Sequence, residues 1–68
     1  MADHVYGSMQ ITGSSPEGSD QAIRNAVAKA QTLVSNLRWF EVVETRGHID
    51  NGTIAHWQVT IRLGHTLD

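Results

Sequence analysis

The side chains through which this chain could do chemistry are few, and their spacing is open. Among 68 residues there are four histidines (His4, His48, His56 and His65) and no cysteine. Thiolate metal sites, cysteine nucleophiles and disulfides are therefore excluded together. No histidine has a partner at the spacing that sets two ligands on one helix face. His48 and His56 fall on opposite faces of a regular hairpin, and no acidic cluster accompanies them, which argues against a metal centre. Glu41 and Glu44 lie on one strand, where strict alternation sends them to opposite sides. Paired catalytic carboxylates must instead flank a common substrate. No Gly-Lys-Ser/Thr ends the loop over 12–18, no GxGxxG occurs, and no catalytic triad or oxyanion device is present. No reaction is specified, so the informative residues are those that shape a surface.

That surface is a long hairpin. Asn51-Gly52 lies between alternating runs and suits a type I′ turn, whose central positions both need positive φ. The arms run from Arg38 to Leu67 at about a dozen residues each, roughly twice the usual strand length. Upstream, Val5, Met9 and Ile11 alternate with Tyr6, Ser8 and Gln10, which predicts a strand from His4 to Thr12. A connection rich in turn residues follows over 12–18. Ser19 is a suitable N-cap, with Asp20 in the first turn. Ala22, Ile23, Ala26, Val27, Ala30, Leu33, Val34 and Leu37 then form one apolar stripe, ending near Asn36.

The order β-α-β-β predicts a single α+β domain over 1–68. The helix returns the chain to its starting end, so the first strand can pair antiparallel only with the third. The result is a three-stranded antiparallel sheet of order 2-3-1 with the helix on one face. Ala55, Trp57, Val59, Ile61, Leu63 and Leu67 of the third strand face that helix. A helix of roughly 17 residues covers about 26 Å, whereas hairpin arms at ~3.3 Å per residue reach about 40 Å. The turn end should overhang the helix by ~10 Å, and an exposed apolar edge of that kind calls for another chain to cover it.

Composition narrows the partners. The net charge is −2, with five basic residues that are scattered along the chain, so no nucleic-acid footprint is expected. No apolar run approaches the ~18 residues of a membrane span, and the N-terminus lacks a basic region followed by an apolar stretch. A cytoplasmic protein is the plain reading. A chain of this length has a thin core, and without disulfides or a metal, self-association is the expected source of stability.

Counted from the turn in an unbroken ladder, Thr45 opposes Gln58, Val43 opposes Thr60 and Arg46 opposes Trp57. The face away from the helix then carries Trp39, Glu41, Val43, Thr45 and Ile49, with His56, Gln58, Thr60 and Arg62 from the third strand. This mixture suits an interface better than open solvent. Trp39 and Gln58 share the face at a distance near 20 Å. One small ligand could meet both only if neighbouring chains brought them together.

The run Leu37-Arg38-Trp39-Phe40-Glu41-Val42-Val43-Glu44-Thr45-Arg46-Gly47-His48-Ile49 is followed by Asn51-Gly52 and Ala55-His56-Trp57-Gln58-Val59. With His4-Val5-Tyr6, the Thr12-Gly13-Ser14-Ser15-Pro16 loop and the alanine-rich helix, it resembles the dodecins, small bacterial and archaeal flavin-binding proteins. The resemblance covers nearly the whole chain. It implies a non-catalytic protein assembled as a hollow homododecamer, holding FMN at subunit interfaces for storage and photoprotective quenching. Riboflavin, FAD or a flavin breakdown product are alternative ligands. Trp39 matches the residue that stacks on the isoalloxazine, and Gln58 the one that reads its pyrimidine edge. Arg46 matches a position near the phosphate, Glu44 an acidic position beside the ligand chain, and His48 stands next to them. A flat aromatic suits a tryptophan face, a side-chain amide matches alternating donors and acceptors, and a guanidinium grips phosphate.

By strict alternation Arg46 and Glu44 point towards the helix, away from Trp39 and Gln58; an overhang or a bulge near Gly47 would bring them round. Arg46 opposite Trp57 could equally form a cross-strand cation–π pair. Gly7 stands where many relatives carry a basic residue, and Met9-Gln10 is an uncommon pair. Gly64-His65-Thr66-Leu67 replaces a Gly-aromatic-Arg-Leu pattern, and the missing arginine argues against a second phosphate contact of the kind coenzyme A would need. Two other functions stand beside flavin storage. One is a structural homo-oligomer whose hairpin only joins subunits; the other is a weak flavin-dependent enzyme.

Overall fold

A computed structural model describes residues 3–67; Met1 and Ala2, which enter the reading of the N-terminus, lie outside them. Strand β1 (Tyr6–Ser15), helix α1 (Ser19–Leu33), strand β2 (Leu37–Asp50) and strand β3 (Thr53–Thr66) follow in order. The sheet is β1-β3-β2 with β3 central and both pairings antiparallel, the arrangement expected as order 2-3-1. Asn51 and Gly52 have φ of 56° and 77°, as a type I′ turn requires.

The core lies between α1 and the two strands beneath it. Ala22, Ala26 and Ala30 recur at helical spacing and are buried against Val59, Ile61 and Leu63. Small side chains on the helix let it approach the sheet closely. The closest approach is at Gly13, where a Cβ would run into the carbonyl oxygen of Ala22 and lie 2.8 Å from Ala26 Cβ. That approach corrects one boundary. Beyond Thr12 the chain stays extended to Ser15, pairing Gly13 with Val59 and Ser15 with Trp57, because the apparent loop residues are the floor under the helix.

Both helix ends differ from expectation. Gly18, rather than Ser19, occupies the N-cap position, and no side chain caps it. The preceding turn is set by buried Ser15, whose Oγ accepts the Glu17 N–H at 3.0 Å. Asp20 is in the first turn as expected. The helix stops at Leu33, with Val34 already extended. Asn36 is drawn to the sheet, where its amide donates to the Thr66 backbone oxygen and, at 2.6 Å, to Thr66 Oγ1. Leu37 accordingly opens β2 instead of ending the helical stripe.

The hairpin extends well past the helix. The molecule measures 55 × 20 × 14 Å, and α1 packs on β1 and β3. Every residue of β2 after Leu37 is exposed, including Phe40 and Val42, at 48% and 47%. Leu67 lies beyond β3 and is exposed, so the inward row of β3 ends with Leu63 and half-buried His65.

Candidate functional site

The ladder between β2 and β3 is not uniform. It slips between His48 and Ile49, between Val42 and Glu44, and between Leu37 and Trp39. Ala55 on β3 and Val43 and Arg38 on β2 are left without a cross-strand partner. Each slip is a bulge, which bends the strand and re-aims the side chains beyond it. Between the first two, the pairing is offset by one from the count begun at the turn.

This offset decides which residues share the open face. Glu44 opposes Thr60, Arg46 opposes Gln58, and His48 opposes His56. Directly opposed side chains lie on the same side of a sheet. Beyond Val43 the frame returns, so Glu41 opposes Arg62 and Trp39 opposes Gly64. Trp39, Glu41, Glu44, Arg46 and His48 therefore form one row, alongside His56, Gln58, Thr60 and Arg62. Five expectations are corrected by this register. Thr45 opposes buried Val59 and leaves the face, and Val43 is the bulge itself. Glu44 and Glu41 lie on the same side, as do His48 and His56. Gly47, not Arg46, opposes Trp57, which removes the cation–π pairing. The bulge that brings Arg46 into line with Trp39 is at Val43, four residues before Gly47.

Local contacts fix several of these side chains. Arg46 Nε donates to Gln58 Oε1 at 3.0 Å. With its oxygen occupied, Gln58 presents its amide NH2 as the free donor, and Arg46 keeps its terminal guanidinium nitrogens for another acceptor. Arg62 Nε donates to Glu41 Oε1 at 2.7 Å, and its Nη2 pairs with the same oxygen. Glu41 is thus engaged in an exposed ion pair with Arg62. Thr12 and Thr60 hydroxyls meet at 2.8 Å across β1 and β3.

Trp39 lies at the opposite end of the row. Its indole rests on Gly64, where a Cβ would collide with Cε2, Cζ2 and Nε1. Tyr6 meets it edge-on, with ring centroids 6.3 Å apart and planes at 65°. The ring is thereby held against the sheet while 41% of the residue stays accessible. Tyr6 and Gly64 lie within stretches that carry the family resemblance, but no reading of the sequence places either at the site. The available signal is a glycine inside a strand, which marks close approach by another group.

Gln58 is six positions along β3 from Gly64, the partner of Trp39, a separation of about 20 Å. The bulges leave that distance essentially as expected. Arg46, Gln58 and His48 are brought together; Trp39 stands apart from them within one chain. Among the described residues, no set of three or more His, Asp or Glu side chains could hold a metal ion.

One helix over a three-stranded sheet, with an aromatic seat at one end of its open face and an amide–guanidinium pair at the other, is the architecture of a small β-α-β-β binding protein. The family model described as Dodecin matches residues 5–68, and the chain belongs to the dodecin family. A dodecin from Thermus thermophilus is 38% identical over 64 residues, which is 94% of this chain and 93% of the relative. The structure of dodecin from Streptomyces davaonensis is 54% identical with a TM-score of 0.93, covering 98% of both chains. That of Streptomyces coelicolor dodecin is 47% identical with a TM-score of 0.93, covering 100% of this chain and 97% of the other. No helix among the described residues is long and apolar enough to cross a membrane.

Proposed function

We propose that this protein binds and stores a flavin, FMN in the first instance, at interfaces between subunits of a cytoplasmic homododecamer. The observation that carries the reading is the seat of Trp39. Gly64 and Tyr6 hold the indole against the sheet while part of it stays accessible, which suits a planar aromatic ligand. Gln58 lies too far along β3 to reach that ligand from the same chain, so a second copy would supply it. Its NH2, left free by the Arg46 bond, suits a ring carbonyl oxygen. The remaining nitrogens of Arg46 suit a phosphate, with Glu44 and His48 beside the ligand chain. A bound flavin would supply the light-absorbing ring whose excited state an adjacent tryptophan quenches.

Assembly is supported by a second surface. On the helix side, Phe40, Ile23 and Val27 line an apolar groove bordered by Asp20, Arg24 and Gln31, which another copy would cover. The role is that of a binding protein without catalysis. Thr66 offers no cation for a coenzyme A phosphate and is engaged by Asn36, which argues against that second ligand.

Titration of FMN into the purified assembly tests the reading, with flavin and tryptophan emission followed together. Both should be quenched to saturation in the wild type. Trp39→Ala should lose affinity by at least about 2 kcal/mol, as for an aromatic hot spot, while sedimentation still reports the full assembly. Unchanged affinity in that variant would eliminate the stacking role. FAD and riboflavin titrated in parallel rank the ligands.

A further inference from the structure

The open face holds one juxtaposition that flavin stacking at Trp39 does not use. His48 and His56 are direct partners across β2 and β3. In an unbroken ladder counted from the turn His48 would oppose Ala55; the slip beside Ile49 is what sets two imidazoles side by side. A bulge that re-aims side chains next to a site is a recurrent device. Both histidines are exposed, and neither ring is engaged in a hydrogen bond or ion pair among the described residues.

Opposed residues of an antiparallel pair have Cα atoms roughly 4.5–5.5 Å apart. From that spacing, two freely rotating imidazoles can turn toward one ion at the ~2.0–2.1 Å of a zinc–nitrogen bond. We propose that His48 and His56 form a two-histidine chelate for a divalent transition-metal ion of the zinc type, with water in the remaining coordination positions. Neutral imidazole favours zinc, copper and nickel over calcium and magnesium, which need oxygen donors. Among the described residues no third His, Asp or Glu joins the pair, so the site is open and exchangeable rather than structural. The nearest cation on the same face, Arg46, donates its Nε across to Gln58, and the carboxylate of Asp50 lies on the turn side.

The test uses intact protein freed of flavin, so it is independent of the storage reading. Zinc chloride titrated calorimetrically should give saturable binding of one ion per chain. His48→Gln and His56→Gln should each weaken it by roughly 100-fold, the gain that a second tethered ligand gives. His4→Gln should leave it unchanged. Far-UV circular dichroism and sedimentation confirm for each variant that fold and assembly are intact before its affinity is compared. Failure of the wild type to bind zinc overturns the proposal. So does wild-type affinity in either strand variant, or equal binding of calcium chloride.

Discussion

Strands β3 and β2 lie side by side and present apolar residues to the same side of the sheet, yet they meet different environments. Val59, Ile61 and Leu63 of β3 are at most 2% exposed. Their neighbours Val42 and Phe40 in β2, opposite Ile61 and Leu63, are nearly half exposed. The difference is where the helix sits. Fifteen residues of α1 span β1 and β3, and among the described residues β2 after Leu37 stays exposed. Burial of β3 makes the subunit; the exposed side of β2 is suited to joining subunits. Similar hydrophobicity thus serves two purposes, separated by a single strand spacing of about 5 Å.

The contrast can be broken by mutation. Ile61→Ala should have the largest effect, a loss of roughly 2–5 kcal/mol for a truncated core side chain, read as a lower denaturant midpoint. Phe40→Asp should act on β2 instead. It places a charge in the apolar groove beside Ile23 and Val27, so sedimentation should show smaller species whose helix and sheet signals persist. If Phe40→Asp unfolds the chain outright while Ile61→Ala does not, the division between the two strands is wrong.

Smaller changes sharpen it. Gly64→Ala pushes a methyl group into the indole of Trp39, at roughly 1–3 kcal/mol for overpacking. Flavin affinity should fall with a shift in tryptophan emission. Arg46→Met removes the bond to Gln58 and should weaken FMN more than riboflavin, by about 0.5–1.5 kcal/mol for the hydrogen bond itself. The exposed Glu41–Arg62 pair should matter least. Arg62→Gln is expected to change stability by less than about 1 kcal/mol.

The order of elements, the strand topology, the type I′ turn and the overhang were all legible in the sequence, because each follows from periodicity or from one dipeptide. Local errors arose where tertiary contacts override local preference. Asn36 would end a helix in isolation, but its amide is held by Thr66. Gly13 looks like a loop residue, but it is the point of closest contact with Ala22. The geometry of the candidate site was legible only in part. Trp39 and Gln58 were placed on the correct face by alternation. Arg46, Glu44 and His48 were not, because alternation has no term for an extra residue at Val43 or Ala55. The conflict between Arg46 and Gln58 was itself the signal of a bulge.

Ala55 and Val43 offset each other, one extra residue on each arm, so the turn and the stretch over 39–42 remain in step while the residues between them are displaced. Removing both together would leave every remaining partner opposite its present neighbour and take away only the two bends. Such a doubly shortened chain would keep the amide, the guanidinium, the imidazoles and the indole in the same sequence along a straighter ribbon. It would therefore separate curvature from composition. If assembly fails while the isolated chain still folds, then association between copies depends on how the ribbon bends and not only on which side chains it displays.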